Sequence, residues 1–210
     1  MDGAPSFTGA DALDLLDWKR QIFALYERVR AAADPAVAWE EWCTTRSDLV
    51  RGHPQSPIPA WQRERDELLM YPYEPRWRVV ARVDDLPATR SDLGASTGET
   101  MAFTRIGLAR FTLEGVQCEL PLLWNDAYGG GVFVPFSDET TGVTTYGGGR
   151  YLVDTVKGAD LGSDRHARTI VFDFNFAYNP SCSYDPSWAC PLAPASSRLP
   201  LAVTAGERVG

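Results

Sequence analysis

The sequence predicts an α+β fold, with N-terminal helices packed on an antiparallel, barrel-like β-sheet. Three observations carry that expectation. In the first third, apolar residues recur at three- and four-residue steps, as on one face of a helix. From about Arg76 onward they alternate with period two, as in half-buried strands. No helix-length segment separates these strands, so βαβ crossovers are excluded and the strands should pair antiparallel. The length of 210 residues suits one domain with one real core, helical over residues 1–72 and β over residues 76–210.

Each element has a local reason. Leu15, Trp18, Ile22, Leu25 and Val29 share one face of a first helix. Thr8 with Asp11 matches a capping box in which Asp stands for the usual Glu. Asp34 and Pro35 start a second helix, the Asp as N-cap and the Pro where no N–H is needed. Trp39, Trp42, Cys43 and Arg46 then lie on one face of it. The three prolines of His53–Pro59 remove donors and exclude the α region before them, so the helix must end there. A short helix is expected over Trp61–Met70, ended by Tyr71–Pro75. Strands are expected at Arg76–Val83, Met101–Leu113, Val116–Trp124, Gly131–Phe136, Arg150–Val156, Thr169–Tyr178 and Leu199–Thr204. Glu114-Gly115 reads as a hairpin turn. Gly107, where the alternation changes phase, reads as a bulge. Asp84–Thr100 reads as a loop. Six or seven such strands close most economically into a barrel or a strongly curled sheet.

Composition narrows the partners. Hydrophobic residues at 44% and charged residues at 23% are ordinary for a globular chain and exclude disorder as the main state. The formal net charge is −8, without the Lys/Arg excess that neutralises phosphates, so nucleic acid is excluded as the expected partner. No apolar run approaches the ~20 residues that span a bilayer, and no membrane partner is expected. The first twenty residues show neither a basic nor an apolar signal region. Four cysteines do not make a disulfide scaffold. A cytoplasmic location is the resulting expectation.

The segment Ile170–Arg198 is richest in chemistry. Alternation there would place Phe172, Phe174, Phe176 and Tyr178 on one face and Asp173, Asn175 and Asn179 on the other. Asp and Asn are poor strand formers. They would form a polar pocket wall, or else face solvent and hydrogen-bond neighbouring loops. Cys182 and Cys190 admit a disulfide, the start of a zinc site, or two small buried thiols. The expectation for a reducing compartment is neither bridge nor zinc. A cysteine nucleophile would need one of the two histidines, His53 or His166, beside it. Gly147–Gly149 precede Arg150, so backbone N–H groups could approach a ligand and the guanidinium could grip a carboxylate or phosphate. The spacing matches no nucleotide-binding motif, and the plainer reading is a tight turn with a surface Arg. Asp126–Gly131 reads as a structural glycine turn. Asp138 and Glu139 read as a solvated turn, with paired acids or metal ligands as the other possibility.

Four stretches together resemble one bacterial and archaeal family, known as domain of unknown function 1684. They are HPQSPI at His53–Ile58, VFVPFSDETTGVTTYGGGRYL at Val132–Leu152, DFNFAYNPSCSYDPSWACPLAP at Asp173–Pro194, and RLPLAVTAGER at Arg198–Arg208. The resemblance covers nearly the whole chain. It implies that Asp138, Thr140, Gly142, Tyr146, Gly149, Arg150, Tyr151, Asp173, Asn175, Tyr178, Asn179, Cys182 and Cys190 occupy family motif positions. Ser197 stands where the family pattern has Asn. The resemblance implies no reaction, because the family has no general assigned activity. Some relatives carry export signals, and a cysteine pair bridged in those would be two thiols here.

Three functional expectations follow. The first is an enzyme acting on a small polar or anionic molecule in a barrel-mouth cleft. Arg150 would anchor the anionic group, with Asn175 and Asn179 binding the substrate. Asp173, His53 and Tyr178 are its catalytic candidates, His53 or Tyr178 moving the proton. The second is a non-catalytic small-molecule binding module with the same pocket. The third makes the motifs structural, with Arg150–Asp173 as a buried ion pair. No metal is assigned, and neither cofactor nor oligomeric state is legible.

Overall fold

The first helix, α1 (Gly9–Ala31), starts at a closed capping box. Thr8 Oγ1 accepts the Asp11 N–H at 3.2 Å, and the Thr8 N–H donates to Asp11 Oδ2 at 2.7 Å. The second, α2 (Pro35–Gly52), starts where the Asp34 carboxylate accepts the Ala36 N–H at 2.8 Å. It ends at His53, where the prolines begin. The computed structural model describes residues 7–63 and 67–210.

The strands are β1 (Leu69–Met70), β2 (Arg78–Arg90), β3 (Leu93–Gly94), β4 (Thr100–Met101), β5 (Phe103–Leu113), β6 (Val116–Asn125), β7 (Val132–Phe136), β8 (Arg150–Asp154), β9 (Ser163–Asp164), β10 (Thr169–Asp173) and β11 (Glu207–Arg208). Seven of them form one antiparallel sheet in the order β8-β7-β6-β5-β2-β10-β9. The sheet curls into a half-barrel. Tyr178, beyond β10, exchanges two backbone hydrogen bonds of 2.9 and 3.1 Å with Tyr151 of β8. The α+β fold with N-terminal helices on an antiparallel, barrel-like sheet is the observed one.

Two packed cores flank the sheet, and the bulge at Gly107 divides them. Ala109, Phe111 and Leu113 of β5 point into the curl with Leu120, Phe136, Phe172 and Phe174. Pairing with β6 slips between Arg105 and Gly107, so Phe103 faces the other way, although it shares their parity. It packs with Ile22, Leu25 and Trp42 of the helices, and with Phe133, Tyr151 and Phe176. Glu114 (φ 50°) and Gly115 (φ 78°) make the two-residue turn between β5 and β6.

Four expectations need correction. Trp61–Arg63 form a turn instead of a helix, and Leu69 and Met70 pair with Arg208 and Glu207; residues 64–66 lie outside the described residues. The expected loop Asp84–Thr100 is partly strand, because β2 runs on to Arg90 against β5 after an irregularity between Asp85 and Thr89. Leu199–Thr204 forms no strand. The Val203 and Ala205 carbonyls accept hydrogen bonds from the Arg150 guanidinium instead of a ladder. The strand from Thr169 stops at Asp173, whose carboxylate accepts the Asn175 N–H at 3.1 Å and caps a 3₁₀ turn over Phe174–Phe176. Alternation fails there, so Phe174 enters the curl while Phe176 and Tyr178 join the helix-facing core.

Candidate functional site

A cavity of about 560 Å³ opens between the helices and the curled sheet. One wall is the inward stripe of α1, with half-buried Leu15 and Trp18 and buried Ile22 and Tyr26. Trp42 and Arg46 of α2 form the second. Tyr178–Ser181 and Trp188–Cys190 close the third side, after the chain leaves β10. The lining is mostly aromatic and aliphatic, with a few polar groups converging at one end. A second cavity of about 430 Å³ lies next to it, lined by Phe103, Phe133, Tyr151 and Asp154 among others. Lys157 and Ala189 line both.

The polar end is built around a buried ion pair. Arg46 Nη2 donates to Glu207 Oε2 at 3.1 Å, joining α2 to the tail of the chain. The same carboxylate accepts the Asn179 N–H at 3.0 Å and the Tyr184 hydroxyl. The Arg46 guanidinium lies 4.8 Å over the Tyr178 ring and 5.6 Å from that of Trp42. Two polar atoms of this assembly are buried without a partner: Arg46 Nε and Asn179 Oδ1. Arg46 is 9% exposed and Asn179 3%. Such groups cost about 1–3 kcal/mol each when left unpaired.

Several titrating groups of the lining are shifted by their surroundings. Burial works against the Arg46 charge, and the Glu207 carboxylate overrides it, so its pKa is raised. Burial pushes Tyr26 up to about 12, and pushes Tyr178 and Tyr184 well above the ordinary tyrosine value. Burial also raises the Cys190 thiol. Hydrogen bonds from the Thr8 side chain and backbone lower the Asp11 carboxyl. Asp154, in the second cavity, is raised by burial and accepts a 3.3 Å bond from the Lys157 N–H.

Of the six residues singled out from sequence, Tyr178 and Asn179 line the principal cavity. Asp173 and Asn175 form a separate network. Asn175 Nδ2 donates to Asp173 Oδ1 at 2.7 Å and to the Glu74 carbonyl at 3.0 Å, and its Oδ1 accepts the Glu74 N–H. These residues bind a neighbouring loop, as the second reading of the alternation anticipated. His53 sits at the end of α2. Its Nδ1 accepts the Gln55 N–H at 3.0 Å and its Nε2 lies 3.3 Å from Asp17 Oδ2, the network placing the proton on Nε2. Its ring packs edge-on against Trp18, so it touches the cavity wall from behind.

Arg150 lies elsewhere, 1% exposed. Its Nη2 donates to Asp138 Oδ2 at 2.7 Å and to the Val203 carbonyl at 3.0 Å; its Nη1 donates to the Ala205 and Glu207 carbonyls. Burial lowers its pKa and Asp138 partly offsets this; the guanidinium stays charged. The expected Arg150–Asp173 pair is therefore replaced by two others, and register explains why. Arg150 stands opposite Phe136, two residues before Asp138, whereas Asp173 stands opposite Arg78 and pairs with it at 3.6 Å. Asp138 is a buried partner and not part of a solvated turn. Gly149 has φ +86°, and a Cβ there would come within 2.6 Å of the Phe136 carbonyl. The glycines serve the turn, and the Arg they release points inward.

Asp173 makes a test of this network. Burial, partly countered by bonds from Asn175, pushes its carboxyl from 3.8 up to about 6. The folded state then holds that proton more tightly than the unfolded chain. Its contribution to stability falls as pH rises between those two values, by a few kcal/mol at ~1.4 per unit. Urea melts across that range should show the decline, and Asp173→Asn should remove it; an unchanged slope in the variant would assign the decline to another group.

Cys182 and Cys190 are buried free thiols. Cys190 Sγ accepts the Cys182 N–H at 3.3 Å, and Tyr146 Oη lies 3.5 Å from Cys182 Sγ. Among the described residues no group of three or more His, Cys, Asp or Glu is placed to hold a metal ion. No described helix is long and apolar enough to cross a membrane.

Sequence reasoning missed Glu207, Tyr184 and Lys157. Arg46 carried a signal, as a charge on the face of Trp39, Trp42 and Cys43. Its partner lies 161 residues away and no spacing rule connects them.

Comparison with known proteins agrees with the fold. The chain is similar to an uncharacterised protein of Haloarcula marismortui with a solution structure. The two share 31% identity with a TM-score of 0.58, over 94% of this chain and 97% of that one. No curated protein matches the chain. Residues 64–208, which hold the whole seven-stranded sheet, the Arg150–Asp138 pair and the carboxylate of Glu207, match the family described as "Protein of unknown function (DUF1684)". On that match and on the full-length likeness, the chain belongs to this family.

Proposed function

We propose that the protein is a non-catalytic small-molecule binding module, and that the 560 Å³ cavity between the helices and the half-barrel is its site. The observation that carries this reading is a cavity of ligand size whose mostly apolar lining carries a few polar side chains, Arg46 and Asn179 among them. The volume falls in the ~300–1,000 Å³ range of small-molecule sites, which combine an apolar lining with a few placed polar groups.

An enzyme that moves protons through His53, Tyr178 or Asp173 is the weaker proposal. His53 and Asp173 do not line the cavity. The Tyr178 hydroxyl is pushed away from the pH at which it would exchange protons.

The test uses a neutral fluorophore, N-phenyl-1-naphthylamine, which brightens in apolar sites. Saturable binding is expected, with Ala189→Trp weakening it at least about tenfold. Ala189 is exposed on the rim and a large ring there would fill the opening, so the melting temperature should hold. Absence of saturable binding, or equal affinity in a folded Ala189→Trp variant, would overturn the proposal.

A further inference from the structure

The chain contains 18 arginines and only two lysines, Lys19 and Lys157. Both lysines line the principal cavity. They come from distant elements, Lys19 from α1 and Lys157 from the turn after β8, and the fold ties those elements together. Arg30 Nη1 donates to the Asp160 carbonyl at 2.8 Å. A Cβ added at Gly158, beside Lys157, would come within 3.0 Å of the Phe23 ring. Lys19 precedes Phe23 by one helical turn and so shares its side of α1. The two lysines therefore stand on neighbouring elements that border the same cavity.

Neither is held in an ion pair with a described residue, although Lys157 Nζ lies 6.0 Å from the Tyr151 ring. Among the described residues no carboxylate pairs with either lysine. The one carboxylate of the lining, Asp11, is engaged by the N–H and hydroxyl of Thr8 at 2.7 and 2.6 Å. The remaining cation, Arg46, is neutralised by Glu207. In a protein of net charge −8, the mouth of a largely apolar cavity thus carries two positive charges that have no ion-pair partner among the described residues. Below them lie Leu15, Trp18, Ile22 and Trp42, which offer nothing to a wholly polar molecule.

We infer that the cavity takes an amphipathic anion, with its apolar body against Trp18, Ile22 and Trp42 and its carboxylate or like head group held at the rim by Lys19 and Lys157. This rests on the binding reading above and adds the chemistry of the head. Lysine suits that task better than arginine here. A compact ammonium on a flexible stem follows a head group at a wet rim, where no fixed bidentate geometry is available.

The experiment measures displacement of N-phenyl-1-naphthylamine by decanoate and by decanol, which share a tail and differ in the head. In Lys19→Gln/Lys157→Gln, decanoate is expected to bind roughly tenfold more weakly, and roughly threefold more weakly in each single variant. Decanol should bind the wild type and the double variant alike. Raising salt from ~0.05 to ~0.5 M should weaken decanoate and leave decanol unchanged, since rim charges are screened. Both lysines are exposed, so the variants should fold, and the neutral fluorophore reports whether the cavity is intact. An unchanged decanoate affinity in the double variant, or an equal loss for decanol, would overturn the inference and leave the binding reading standing. Failure of the fluorophore itself to bind the wild type would overturn both.

Discussion

Replacing Arg150 with alanine is expected to lower the unfolding free energy by about 3–5 kcal/mol, the cost of breaking a buried ion pair from one side. The truncation strands the Asp138 carboxylate, which is fully buried, and removes donors from the carbonyls of Val203, Ala205 and Glu207. The first two belong to the segment without a ladder and the third to β11, so the attachment of this stretch should loosen. Arg150→Lys should fall between wild type and alanine. It keeps the charge opposite Asp138 but cannot spread donors over carbonyls on both sides of the fork. Urea denaturation with an unchanged slope would read both effects as stability. A loss for Arg150→Ala below about 1 kcal/mol would mean that the network is not the closure it looks like.

Glu207→Ala is expected to cost a similar amount and to disable the cavity as well. The carboxylate accepts from Arg46, Tyr184 and the Asn179 N–H, so its loss leaves a guanidinium without a counter-charge beneath Tyr178. The double variant Arg46→Met/Glu207→Leu should be more stable than either Arg46→Met or Glu207→Leu alone. Replacing both ends of a buried pair by apolar groups is close to neutral, whereas replacing one is not. If the losses simply add, the two groups do not act as a pair.

Local rules carried much of the fold. The Thr8–Asp11 box, the Asp34 cap, the Gly107 bulge and the Glu114-Gly115 turn each depend on residues adjacent in sequence, and each is where it was expected. What failed was tertiary. Leu69 and Met70 extend because Glu207 and Arg208 lie beside them, and Leu199–Thr204 makes no ladder, its Val203 carbonyl accepting from the Arg150 guanidinium instead. Asp173 failed for a local reason that alternation concealed, since a carboxylate that caps a 3₁₀ turn looks the same in sequence as one facing outward. The cavity was less legible still. Its walls are pieces of α1, α2, the stretch after β10 and the turn after β8, and its polar end needs Glu207. The scarcity of lysine could be counted from the start, but it acquires meaning only when both lysines line one cavity.

The pairing of Arg46 with Glu207 also has a consequence in time. Synthesis runs from the amino end, and 161 residues separate the two partners. At ~5–20 residues per second, α2 waits on the order of 10–30 s for its counter-charge. Throughout that interval the nascent helix presents Trp42 and an uncompensated cation to the surrounding medium. The carbonyls that receive Arg150 emerge equally late. Closure is thus deferred until residues 203–207 have been made, and contacts of such long sequence separation make for slow folding. A ribosome stalled after β10 would hold a polypeptide with most of its strands made, Arg46 without its counter-charge, and Arg150 paired with Asp138 but lacking its carbonyl acceptors.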